Sequence, residues 1–208
     1  SAMHADAVDE AAGRGVEFLL SVQDEKGAFR DNGAYENALT SLSALSMVAL
    51  GHLPTDTDRH GTAVRKALDF LLRDSQRNRD GYFGEADNSR MYGHGITTLL
   101  LSEMLGMSAD PAQAHKIRAA CSEAIQLILR SQAVSKTNAS FRGGWRYKPT
   151  SPDADLSVSI WQLLALRSAK NAGIDVPASA IDSAVVFLKG LYQAPKGLEG
   201  RTGFVYLP

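Results

Sequence analysis

The sequence predicts an all-α fold, a stack of helix-loop-helix repeats, and three observations carry that expectation. Loops that pair glycine with an aromatic residue recur along the chain. An amphipathic helical segment precedes each loop. A nearly uniform apolar segment follows it.

The loops read Gly27-Ala28-Phe29, Gly81-Tyr82-Phe83-Gly84, Gly143-Gly144-Trp145-Arg146-Tyr147 and Gly203-Phe204-Val205-Tyr206. Their glycines stand about 54 to 63 residues apart, a spacing suited to stacked helical units. A glutamine closes the segment before each loop: Gln23, Gln76, Gln132 and Gln193. In the second unit Val64, Ala67, Leu68, Leu71 and Leu72 form one stripe at the helical period. Ile117, Cys121, Ala124, Ile125 and Ile128 repeat it, as do Ile181, Val185 and Leu188. Val8, Ala12, Gly15 and Leu19 follow it less cleanly. Arg65, Asp69, Arg73, Arg118 and Glu123 take the opposite faces, which places these helices on the outside.

The segments after the loops are different. Residues 39–50, 96–105 and 156–169 are apolar nearly all round, diluted mainly by Ser and Thr. Such helices are buried on several sides. Outer amphipathic helices alternating with inner apolar ones describe two layers, each repeat covering its neighbour. Gly51 and Gly173 fit left-handed caps, Pro54 and Pro177 lie where a helix cannot continue, and Asp155 fits an N-cap. The expected repeats are about 7–51, 61–107, 114–173 and 177–208, one domain of about seven helices. The last unit lacks its inner helix, so the expectation is a longer protein, or a partner or second copy that covers the open end.

Composition limits function. The 208 residues are 44% hydrophobic and 22% charged, with a formal net charge of -1. No basic run stands out, so neither nucleic acid nor an anionic membrane is an expected partner. No stretch reaches membrane-spanning length, and the chain reads as soluble. The compartment stays open. Ser1-Ala2-Met3 reads as the scar of a removed tag, and no signal segment is evident. Cys121 is the only cysteine, which excludes an intramolecular disulfide and a Cys-rich zinc site. There is no Walker loop, dinucleotide fingerprint or nucleophile elbow, and no cofactor or metal is expected. His4, His52, His60 and His115 read as surface or loop residues without ligand spacing.

The order outer helix, glutamine, Gly-aromatic loop, inner helix resembles the prenyltransferase and squalene-oxidase repeat. That repeat builds the α/α toroid of terpenoid cyclases and protein prenyltransferase β subunits. Gln23 to Phe29 and Gln76 to Phe83 look like degenerate forms of its glutamine-tryptophan motif. Two stretches resemble bacterial proteins, notably of planctomycete type, that carry the repeat. They are Met91-Tyr92-Gly93-His94-Gly95-Ile96, and residues 143–147 taken with 157–162. The resemblance implies an α/α toroid and an isoprenoid-related role, terpene-cyclase-like or prenyl-binding, with an apolar cavity between inner helices. Departures accompany it. Asp153-Ala154-Asp155-Leu156 lacks the last aspartate of the cyclase acid motif. Cys121 lies on an outer helix, away from any prenyltransferase zinc ligands, and Cys121-Ser122-Glu123-Ala124 breaks the thioester motif of complement-type toroids.

Each candidate residue has a chemical and a structural reading. Asp153 and Asp155 would be an acidic pair, one acting as general acid; equally, Asp155 caps its helix. His94, between two glycines, would be an acid/base or ligand donor, or a tie between a loop and the next repeat. Tyr92 goes with it. Trp145, Tyr147 and Trp161 would wall a cavity and stabilise a cation, or cement the repeat interface. Phe29, Tyr82, Phe83, Phe204 and Tyr206 read as packing. Glu103 sits inside an apolar helix, with Arg146 as one partner to consider, and Glu36 reads as a first-turn charge. Two alternatives to an isoprenoid role remain: a non-catalytic scaffold for a protein or peptide, and a carbohydrate-active toroid needing two facing carboxylates.

Overall fold

The computed structural model describes residues 7–193 and 203–208. The tag-like start and His4 lie outside the described residues, as does the side chain of Gln193. The chain is mostly helical, with seven α-helices among the described residues. They are α1 (Ala7–Val22), α2 (Glu36–Ala49), α3 (Arg59–Leu71), α4 (Arg90–Glu103), α5 (Pro111–Gln132), α6 (Leu156–Asn171) and α7 (Ala178–Gly190). A short antiparallel pair, β1 (Tyr192–Gln193) and β2 (Gly203–Phe204), follows α7.

Helices α2, α4 and α6 form a row with α4 in the middle. Helix α3 packs on α2, α5 on both α4 and α6, and α7 on α6. The middle position explains the composition of α4. Met91, Ile96, Leu100 and Leu101 are buried there together with Thr97, Thr98 and Ser102. The small hydroxyls let helices approach closely while staying bonded: Thr98 bonds the His94 carbonyl at 2.7 Å and Ser41 of α2 bonds Thr97 at 2.9 Å. The amphipathic helices bury the stripe the sequence marks, with Val64, Leu68, Leu71, Ile117, Cys121, Ile125 and Ile128 fully enclosed. Helix α1 holds less firmly. Val16 is its buried residue, while Val8 and Phe18 are exposed.

Aspartates start three helices. Asp58 accepts from the Gly61 amide, Asp110 from Ala112 and Asp155 from Val158, each satisfying an amide that the helix leaves unpaired. Gly51 and Gly173 both have positive φ at inner-helix ends, as their caps require.

The glycine and glutamine of the loops share one purpose. Gln23 donates through Nε2 to the Gly27 carbonyl and to the Ala63 carbonyl of α3. Gln132 does the same to Gly143 and to Ala180 of α7. Each clamp therefore ties a loop to the following outer helix. Gln76 departs from this: its side chain meets Ser75, and its carbonyl accepts from Asn37. The loop glycines press on the same helices. At Gly143, φ is +87° and a Cβ would stand 2.2 Å from the Ser183 carbonyl oxygen. Gly143→Ala should therefore cost about 3 kcal/mol, from left-handed strain and overpacking together. Gly173→Ala has similar φ but open space around it, and should cost only about 1 kcal/mol. Urea unfolding of the two variants separates the contributions.

Candidate functional site

The predicted site residues fall into two groups. One is built into the repeat and the other gathers at the N-terminal ends of α4 and α6.

His94 belongs to the first group. It is fully buried. The Phe83 amide donates to its Nδ1 at 3.3 Å, so the proton sits on Nε2, which donates to the Ala124 carbonyl of α5 at 3.2 Å. Equivalent bonds occur in the neighbouring repeats. The Phe29 amide donates to Thr40 Oγ1 at 3.0 Å, and the Trp145 amide to Ser159 Oγ at 2.9 Å. Thr40, His94 and Ser159 thus fill one slot, in which an inner-helix side chain receives the amide of the loop aromatic. Burial, with a smaller push from the nearby Arg130 charge, lowers the His94 pKa to about 4 against the Ala124 bond. Both ring nitrogens are engaged, in the arrangement of a tie between loop and neighbour.

Trp145 is likewise enclosed in the core. Its ring is 1% exposed and its Nε1 donates to the Ile128 carbonyl at 2.9 Å. Trp161 is half-buried on α6. Phe29 and Phe83 are buried as expected, whereas Phe204 and Tyr206 are exposed.

Asp153, Asp155, Tyr92 and Tyr147 come together around Arg146. Asp155 is fully buried. Its Oδ1 accepts from the Val158 amide at 2.8 Å and its Oδ2 from Arg146 Nη1 at 2.7 Å. Asp153 lies 3.3 Å from Arg146 Nε. Partial burial opposes the Arg146 charge, but the bond and the charge of Asp155 outweigh it and raise its pKa. The same guanidinium lies 4.4 Å from the Tyr147 ring and 5.6 Å from the Tyr206 ring. Tyr147 and Tyr206 share a 2.9 Å hydrogen bond, which with burial pushes the Tyr206 phenol up. Tyr92 donates to Ser157 Oγ at 2.8 Å and faces Tyr147 with ring centroids 6.0 Å apart. The Leu156 amide donates to the Tyr206 carbonyl at 3.0 Å, which brings the fourth loop onto the start of α6.

Glu103 bonds Ser168 at 2.5 Å, and Arg146 is engaged with Asp153 and Asp155. Glu103 is exposed at the end of α4, which accommodates its charge, and the bond to Ser168 adds a link from α4 to α6. Glu36 pairs with Arg30 in the first turn of α2.

Beside the tyrosines runs an open groove of about 610 Å³, lined by Asn78, Asp80, Tyr82, Glu85, Arg90 and Lys148 among others. Arg90 sits 6.0 Å from the Tyr147 ring and holds a left-handed φ of 58°, as does Asn88. Asn32 and Tyr35 take the same rare conformation just before α2, so it recurs where these two inner helices begin. Sequence reading passed over Arg90 and this groove, although Asn88-Ser89-Arg90 before an apolar helix is a turn signal.

No protein-family model matches the chain, and no curated protein matches it.

Proposed function

We propose that this chain is a non-catalytic helical-repeat scaffold whose groove beside Tyr82 and Arg90 takes an extended segment of a partner protein. The observation that carries the reading is how the candidate catalytic groups are spent. Asp155 caps α6 and holds Arg146, His94 fills a slot that Thr40 and Ser159 fill elsewhere, and the tyrosine faces already hold a cation of the protein's own.

The groove offers what a peptide needs. Tyr and Arg are the residues most often dominant at binding surfaces, because they give rigid area and directed donors together. Arg90 and Lys148 form no ion pair among the described residues and can meet an acidic side chain of the segment, while Asp80 and Glu85 of the same groove can meet a basic one. Tyr82 and Leu127 supply an apolar wall for an anchor. The alternation of outer and inner helices supports reading the row as an arc of an α/α toroid. An isoprenoid role rests on the resemblance of the repeat, and the carboxylates it would use are those holding Arg146.

A random-peptide display on the purified chain tests the reading. Enriched peptides should carry an acidic residue and should lose binding to Arg90→Ala and Lys148→Ala. In parallel, farnesyl diphosphate, geranylgeranyl diphosphate and squalene should leave the melting temperature unchanged, since only a ligand of the folded state raises it. An isoprenoid shift that disappears in Asp155→Asn would replace the scaffold with a prenyl-binding site. Display without enrichment over an unrelated surface would also overturn it.

A further inference from the structure

We infer that His52, Asp58 and His60 form a binding site for a divalent transition-metal ion of the zinc type. The three come from the α2–α3 connection and the start of α3, and their ligand atoms all lie within 4.8 Å of one another. The two imidazoles are stacked face to face, 4.0 Å between centroids and 8° from parallel. Asp58 Oδ2 lies 3.1 Å from His60 Nδ1. Zinc bonds of about 2.0 to 2.2 Å put neighbouring ligand atoms roughly 3.4 Å apart, so the spacing suits one ion once the stacked rings rotate to aim their nitrogens at it.

The surroundings are those of a built site. Asp58 is fixed through its other oxygen, Oδ1, which accepts from the Gly61 amide at 2.9 Å. Asp56 Oδ2 accepts from Leu53, and Arg65 donates to the carbonyls of Pro54 and Asp56, both at 2.6 Å. Gly61 lies so close that a Cβ would stand 2.3 Å from the Asp56 carbonyl oxygen. The connection is therefore held in one shape before any ion arrives. On the far side of His60, Nε2 meets Glu17 Oε1 of α1 at 3.1 Å. A metal at Nδ1 leaves the Nε2 proton to Glu17, the carboxylate–histidine–metal arrangement that orients a ligand ring and raises its basicity. Arg59 holds the second oxygen of Glu17 at 2.5 Å. Two imidazoles and one carboxylate select zinc, copper or nickel over magnesium or calcium, which prefer all-oxygen sets. Glu17 and Asp58 also line an open groove of about 730 Å³ between α1 and α3, which gives an ion access from solvent.

Binding would act on α1. That helix buries only Val16 fully, and Glu17 links it to α3 through Arg59 and His60. A metal that fixes His60 fixes the acceptor on α1 as well.

Isothermal titration of the tag-free chain with zinc chloride is the test, read together with hydrogen exchange in α1. The expected result is saturable uptake of one ion per chain, absent with magnesium, and slower exchange of the α1 amides. His52→Ala and His60→Ala should each abolish that uptake. Glu17→Ala should weaken it by about tenfold through the outer hydrogen bond. His115→Ala, on the exposed side of α5, should leave it unchanged. Circular dichroism establishes that each variant is folded. No uptake at millimolar zinc, or uptake that survives in the double variant of His52→Ala and His60→Ala, would overturn the assignment.

Discussion

Folding stability should fall by about 3 kcal/mol as the pH drops from 6.5 to 4, with His94 as the source. Its folded pKa is lowered to about 4, while the unfolded chain titrates near the ordinary value of 6.5. Above pH 6.5 the ring is neutral in both states and costs nothing. Between the two values the unfolded chain takes up a proton that the folded chain refuses, so unfolding is favoured. Below pH 4 both states are protonated and the loss is complete. Geometry gives the same sign, since a proton on Nδ1 would face the Phe83 amide hydrogen that now points at it. Urea unfolding at successive pH values should show the decline in the parent chain and a flatter profile in His94→Gln. Carboxylates titrate in both proteins and cancel in the difference. Equal slopes would mean that the buried imidazole is not the proton acceptor.

Trp145→Ala should cost about 3 to 5 kcal/mol, the range for deleting a large aromatic from a closed core. The ring lies among residues joined to the main core, and the Trp145 carbonyl accepts from the Asp155 amide at 3.0 Å. Its loss leaves a cavity where loop, α5 and α6 meet. Trp145→Phe keeps most of the packing but removes the Nε1 bond to the Ile128 carbonyl, at about 0.5 to 1.5 kcal/mol. Denaturant midpoints of the two variants distinguish volume from hydrogen bonding. An alanine variant within 1 kcal/mol of the parent would show that the loop is not held through this ring.

Much of this architecture could be read from the sequence because its signals are local. The stripes at Val64–Leu72 and Ile117–Ile128, the glycine caps at Gly51 and Gly173, and the Asp155 cap each depend on a few neighbouring residues. The loop glycines were equally visible, but their purpose was not, since Gly143 answers to Ser183 forty residues on. The site was harder. His52 and His60 meet only because the intervening turn folds back, so no ligand spacing betrayed them. Arg146 was a reasonable partner for Glu103 on composition, yet Asp153 and Asp155 are much nearer in the chain and take it first. The readings of His94 stood level in the sequence. That Thr40, His94 and Ser159 all receive the amide of a loop aromatic is visible only in coordinates.

The amide slot has a consequence for how such a protein diverges. A duplicated unit inherits the backbone and the position of the acceptor, but not the identity of the acceptor. Threonine and serine give a bond indifferent to acidity; histidine at the same place gives one that breaks in acid. One codon change can therefore lend a single unit of an otherwise uniform array its own response to the surrounding medium, with the architecture left as it was.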